Sequence, residues 1–255
     1  MGLFAALYGG VAYAIFLATL LYAIGFTGNV LVPKSIDIGM PSGSAGEPLW
    51  ASLLVDTLLL ALFAVQHSVM ARPAFKRWWT RFVPKPVERS TFVLMASGTL
   101  ILLFALWRPI AAPVWDFGPS LAGLAPASLC ALGWMLVLAG TFQIDHFELF
   151  GLKQVWWGLT GRHTAQPEFR TPLLYRHVRH PIYLGFMLAF WSTLTMSAGH
   201  LLFAVATSGY ILIGIWFEER DLVAQFGQRY LLYRKQVGML LPKFGARDRQ
   251  GPAQS

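Results

Sequence analysis

The sequence predicts an all-α, polytopic membrane protein: a helical bundle of about six transmembrane helices followed by a C-terminal amphipathic cytoplasmic helix. Three observations predict it. The 255 residues are 56% hydrophobic and 13% charged, against roughly a quarter charged in ordinary soluble domains. Several apolar stretches approach the ~20 residues that a helix needs to cross a bilayer. The lysines and arginines fall on alternate connections, the pattern of a membrane protein whose positive loops stay on one face.

The first span is 3–24. It is too long for the apolar core of a secretory signal and lacks a charged leader. Gly9 and Gly10 within it suit close helix contact. Residues 25–48 contain Pro33, Pro41 and Pro48 and a glycine-rich stretch from Gly39 to Gly46, which reads as an exposed loop. Spans follow at 49–70, 91–107 and 127–150. The fifth and sixth, 182–196 and 200–217, form a short hairpin. Residues 218–237 read as an amphipathic helix, with Leu222, Val223, Phe226, Tyr230, Tyr233 and Val237 on one side. Pro242 ends it, and the tail from Gly245 is polar. Residues 1–244 read as a single membrane domain and 245–255 as that tail.

Of the 20 lysines and arginines, six lie in 71–90, five in 151–181 and seven beyond 217. Loops 25–48 and 108–126 hold one each and the turn at 197–200 none. The positive-inside rule then places both termini in the cytoplasm. The same loops account for the formal charge of +8 without a nucleic-acid partner. Cys130, the single cysteine, lies in an apolar run and gives neither a disulfide framework nor a cysteine metal site. HExxH, CxxC, Rossmann and P-loop patterns are absent, so no metal is expected.

Three polar sets stand out against this background, because an ionisable group in a span is costly and marks function by default. The first is Asp56 with Gln66-His67-Ser68. Asp56 and His67 share a helix face about three turns apart, and His67 reads either as functional or as a boundary residue among headgroups. The second is Gln143-Ile144-Asp145-His146-Phe147-Glu148, which closes the fourth span with two polar stripes. A carboxylate beside an imidazole suits proton transfer; the alternative is a solvated helix end or a satisfied interhelical pair. The third is Arg176-His177-Val178-Arg179-His180-Pro181-Ile182-Tyr183-Leu184-Gly185. Pro181 suits a first helical turn, and the helix N-terminus adds to a field that favours an anion. The apolar hairpin after it ends at Glu218-Glu219-Arg220-Asp221. A hairpin brings its ends together, so the Arg/His cluster and the glutamate pair should meet at one membrane face.

The run Arg-His-Pro-Ile-Tyr-Leu-Gly, a short helical hairpin and then Glu-Glu-Arg-Asp-Leu-Val-Ala-Gln-Phe-Gly-Gln-Arg-Tyr resembles the membrane methyltransferases of the isoprenylcysteine carboxyl methyltransferase superfamily. Gln66-His67-Ser68-Val69-Met70-Ala71-Arg72-Pro73 and Val87-Glu88-Arg89-Ser90-Thr91 resemble the nurim-like family. Gln143 through Leu152 resembles the bacterial methanethiol S-methyltransferases within it. The resemblance implies S-adenosylmethionine bound by residues 176–242 on the cytoplasmic side of a bacterial inner membrane. It implies that Arg179, His180, Tyr183 and Leu184 contact that cofactor, that Glu218 or Glu219 holds its amino group, and that Tyr230 closes the pocket. The implied reaction methylates methanethiol to dimethyl sulfide. A larger thiol, a lipid or prenyl-cysteine acceptor, or a non-enzymatic nurim-like role are the alternatives. Since the thiolate is the nucleophile, a base is expected, with Asp145 and His146 first and His67 second. Tyr183 or Phe147 is expected to steady the sulfonium.

Overall fold

The computed structural model describes residues 2–39, 48–118, 120–161 and 169–243; the polar tail from Gly245 lies outside them. The chain begins with α1 (Gly2–Gly28), α2 (Leu49–Ala71), the short α3 (Pro73–Trp79) and α4 (Lys85–Leu106). Strand β1 (Pro113–Asp116) precedes α5 (Leu121–Ile144), α6 (His146–Leu149) and α7 (Leu152–Thr160). A single 3₁₀ turn, Leu173–Arg176, leads into α8 (Pro181–Trp191), β2 (Thr195–Ser197), α9 (Ala198–Phe226) and α10 (Gln228–Gln236). Among the described residues, five helices, α1, α2, α4, α5 and α9, are long and apolar enough to cross a membrane, and α8 is a shorter apolar helix. The protein is thus a polytopic helical bundle with exposed leucines and phenylalanines along α1, α2 and α5, the surface that lipid rather than water would cover.

Four of the helix boundaries that depart from the expected ones have a local reason. Helix α4 starts six residues earlier than 91, with Pro86 in its first turn, where a missing N–H does no harm. Helix α5 starts at Leu121 because Ser120 caps it, accepting from the Gly123 N–H, and it stops at Ile144 rather than 150. There Asp145 leaves helical geometry and caps the next turn, its carboxylate accepting from the Glu148 N–H at 3.1 Å. The two polar stripes expected on one continuous helix therefore do not form. At the C-terminal end, Glu218 stops the hydrophobic run without stopping the helix. Glu, Arg, Leu, Ala and Gln are good helix formers, and α9 continues to Phe226. The break comes at Gly227, whose φ of 56° suits glycine, so the predicted helix 218–237 is two pieces.

Helix α8 is positioned by its backbone contact with α5. A Cβ on Gly185 would fall 2.6 Å from the Gly133 carbonyl oxygen, and one on Gly133 would fall 2.6 Å from that of Gly185. Glycine on both sides lets the two backbones touch, the small-residue packing that membranes favour. With 11 residues, α8 rises only ~16 Å, about half of a ~30 Å hydrocarbon core. The chain then turns through β2, which pairs antiparallel with β1, Trp115 opposite Met196 and Asp116 opposite Thr195. The ribbon satisfies backbone groups that leave helical geometry after α8.

The connections sort to two ends of the bundle. At one end, Asn29 Nδ2 donates to Asp37 at 2.6 Å, Ser197 Oγ donates to Asp37, and the Trp107 indole donates to the Ile36 carbonyl at 3.1 Å. At the other end, Arg72 pairs with Asp221 at 3.5 Å and Arg89 Nε donates to the Leu149 carbonyl at 2.7 Å. The basic loops share this second end, as the alternation of charge along the sequence predicts.

Candidate active site

The cluster that opens α8 and the glutamate pair of α9 meet. Tyr183 donates to Glu218 Oε2 at 2.8 Å. His180 Nε2 lies 3.2 Å from Glu219 Oε1, and its Nδ1 lies 4.0 Å from Glu218 Oε2. The imidazole is buried and sits between the two carboxylates. Arg179 Nε donates to Glu219 Oε1 at 2.7 Å, while Arg234 approaches the other Glu219 oxygen at 3.6 Å. Five side chains, Arg179, His180 and Tyr183 at the start of α8 and Glu218 and Glu219 on α9, thus converge across 35 to 40 positions of chain, because α8 and α9 are the two arms of a hairpin.

A third strand of the chain completes the set. The Arg179 and His180 backbone N–H groups donate to the Gly238 and Met239 carbonyls at 2.8 and 3.1 Å. Arg179 Nη1 donates to the carbonyls of Val237 at 2.5 Å and Arg234 at 3.2 Å. Tyr233 donates to the Tyr175 carbonyl at 2.5 Å. Burial pushes the Tyr233 phenol up to about 12, opposed by the nearby Arg179, so it remains a donor. No local feature of the sequence signals these contacts, which join residues some 58 positions apart. Gly238 is the one trace: a Cβ there would fall 1.8 Å from the Leu241 carbonyl oxygen.

Tyr230 is buried, and its hydroxyl has no hydrogen-bond partner. Burial raises its phenol, and the carboxylate of Glu219 adds to this, so it too stays a neutral donor. Leu184 is half-buried one residue after Tyr183. Glu218 keeps a side chain that is 44% exposed. An open carboxylate and an unused buried hydroxyl, flanking an imidazole, are what a ligand carrying both a cation and hydrogen-bond acceptors would complete.

The other predicted residues fall elsewhere. Asp145 pairs with Lys153. Burial would raise its carboxyl, but Lys153 and the Glu148 N–H hold it below the ordinary carboxylate range. His146 is buried beneath α1, with Nε2 bonded to the Tyr13 hydroxyl at 2.9 Å and Nδ1 to Thr141 at 3.0 Å. Phe142 stacks on it, and Phe147 lies edge-on. Burial lowers the imidazole, against the pull of Asp145. Phe147 therefore belongs to this aromatic set and Tyr183 to the other. Gln143 reaches the α8 side alone, accepting from the Leu174 N–H at 2.8 Å. His67 lies on α2 among Phe63, Phe92 and Tyr210. Asp56 is fully buried at the opposite end and accepts from the Arg108 N–H at 2.9 Å. Among the described residues, no group of three or more His, Cys, Asp or Glu side chains is placed to hold a metal ion.

The chain is 53% identical over 253 residues to methanethiol S-methyltransferase 2 of Bradyrhizobium diazoefficiens, covering 96% of this chain and 94% of that protein. It is 51% identical over 236 residues to the methanethiol S-methyltransferase of Mycobacterium tuberculosis, covering 92% and 95%. To nurim of Rattus norvegicus it is 30% identical over 182 residues, 68% of each chain. No protein-family model matches the sequence, and no solved structure matches.

Proposed function

Because this chain belongs to the methanethiol S-methyltransferase family, we propose that it methylates methanethiol to dimethyl sulfide, with S-adenosylmethionine as methyl donor, from a site at the positively charged end of the bundle. The observation that carries the reading is the placement of His180 between Glu219 and Glu218, with Tyr183 on the second carboxylate. When bound, the donor supplies an electrophilic methyl group on a sulfonium. The residues fit such a ligand. Glu218 offers a part-exposed carboxylate to an ammonium, and the free hydroxyl of Tyr230 is a donor without an acceptor.

The residues divide the work by how committed they already are. Arg179 already donates to Glu219 and to the carbonyls of residues 234 and 237, so it positions the C-terminal segment and keeps Glu219 ionised. His180 fixes the spacing of the two carboxylates. Tyr183 orients Glu218, Leu184 supplies apolar wall, and Tyr230 covers the ligand. Asp145 and His146 act as positioning residues: one ties α6 to α7 through Lys153, the other anchors α1 through Tyr13. Residues 1–244 work as a single domain, with both termini and the site in the cytoplasm of a bacterial inner membrane.

The test uses purified protein in detergent or nanodiscs with S-adenosylmethionine and methanethiol, and headspace gas chromatography for dimethyl sulfide. Product is expected from the wild type and at least ~10²-fold less from Glu218→Gln, since a charge-assisted contact is worth a few kcal/mol. A wild type that forms no dimethyl sulfide while remaining monodisperse overturns the reading.

A further inference from the structure

Among the described residues two imidazoles keep a buried ring nitrogen without a hydrogen bond: His200, whose Nδ1 faces the Asp37 carboxylate at 3.6 Å, and His67, which faces no carboxylate. The His67 ring centroid lies 5.3 Å from that of Phe63, 4.9 Å from Phe92 and 6.5 Å from Tyr210, so α2, α4 and α9 each contribute an aromatic wall. Nδ1 is buried without a hydrogen-bond partner. Leaving a buried polar atom open costs about 1–3 kcal/mol, and such an atom calls for an explanation. An apolar side chain would fill this box better if packing were its only duty. By contrast, His146 has both ring nitrogens bonded, and Asp145 is held by Lys153. Two cations border the box: the Arg89 guanidinium lies over Phe92 at 5.0 Å, and Arg72 acts on Tyr210.

The box borders an apolar crevice. Between Leu60, Ala64, Leu202 and Ala206, helices α2 and α9 leave an open crevice of about 230 Å³, and its lining includes Phe63 and Tyr210, two of the three rings around His67. The Tyr210 hydroxyl is tied only at 3.4 Å, to Ser68. On α9, Tyr210 stands eight residues before Glu218, ~12 Å along the axis. Tyr210 therefore separates three places: the crevice, the imidazole and the glutamate end of the hairpin.

Resting on the methyl-transfer reading above, we propose that His67 accepts the proton of the thiol substrate inside this aromatic box, reached from the crevice past Tyr210. The S–H bond breaks, its proton moves to Nδ1 and its electron pair stays on sulfur. The thiolate forms the new S–C bond as the methyl–sulfonium bond of the donor breaks, and that pair leaves with the donor sulfur as a neutral thioether. Water then takes the proton from His67. The open nitrogen gives the proton an acceptor.

The experiment compares two methyl acceptors of similar size. Methaneselenol is the stronger acid and ionises without help, whereas methanethiol needs a base at neutral pH. His67→Gln should bind S-adenosylmethionine as the wild type does, methylate methanethiol ~10²–10⁴-fold more slowly, and methylate methaneselenol at a rate near the wild type's. Equal losses with both acceptors, an unaffected thiol rate, or lost cofactor binding each overturn the assignment. If His67→Gln is not monodisperse on gel filtration, His67→Asn takes its place under the same criteria. A wild type that methylates neither acceptor removes the methyl-transfer reading itself, and the role of His67 with it.

Discussion

Arg179 and Glu219, forty residues apart in sequence, form one nearly buried ion pair at 2.7 Å, with side chains 9% and 12% exposed. Removing one partner of such a pair leaves an uncompensated charge, at a cost of about 3–5 kcal/mol. Arg179→Gln should therefore lower the unfolding midpoint in detergent more than any exposed arginine substitution does, and weaken S-adenosylmethionine binding with it. Arg179→Lys should recover little, because an ammonium cannot serve Glu219 and two carbonyls in the geometry of a guanidinium. Thermal unfolding with and without the cofactor measures both; a midpoint within a degree of wild type for Arg179→Gln contradicts the argument.

Asp145 offers a pH-dependent counterpart. Its carboxyl titrates below the ordinary range in the folded chain because Lys153 and the Glu148 N–H stabilise the anion against the effect of burial. Its contribution is thus fully present above the unfolded pKa of about 4 and is lost as pH falls through the lower folded value. At neutral pH, Asp145→Asn and Lys153→Met should destabilise alike, and the double variant should add little. Below that range the gap between wild type and Asp145→Asn should close. Turnover at neutral pH should fall far less than in His67→Gln.

Backbone contact between α5 and α8 predicts intolerance of even one methyl group. Gly185→Ala places carbon 2.6 Å from the Gly133 carbonyl oxygen, so the helices must separate. Overpacking of this kind typically costs 1–3 kcal/mol. The displaced α8 carries His180 and Tyr183, and cofactor affinity should drop along with stability. Gly209→Ala, with open space around it, is the control expected to leave both unchanged.

The topology is testable by reporter fusions after residues 40, 80, 115, 165, 198 and 240. They should alternate outside and inside, beginning outside, with residue 240 inside. Two consecutive fusions on one side contradict it.

The bundle and the meeting of Arg179, His180 and Tyr183 with Glu218 and Glu219 were legible because hydrophobicity and charge mark them directly. An apolar hairpin between two polar clusters has only one compact arrangement. The boundaries were less so. A charged run ends hydrophobicity at Glu218 but not helicity, and Asp145 caps a new turn from within what reads as a continuing span. The Tyr13 partner of His146 was invisible because packing between distant helices leaves no periodic trace, and the Thr141 partner because it depends on the break at Asp145. For the same reason nothing in the composition distinguished the satisfied His146 from the open His67.

The bonds from Arg179 and His180 to residues 234–239 also set an order of assembly. The membrane helices through α9 can insert one after another as they leave the ribosome. The cluster at the start of α8 cannot close until the stretch carrying Gly238 and Met239 has been made. A chain cut short inside α9 would leave Arg179 and His180 without these backbone partners, so the segment made last is the one that fixes the start of α8.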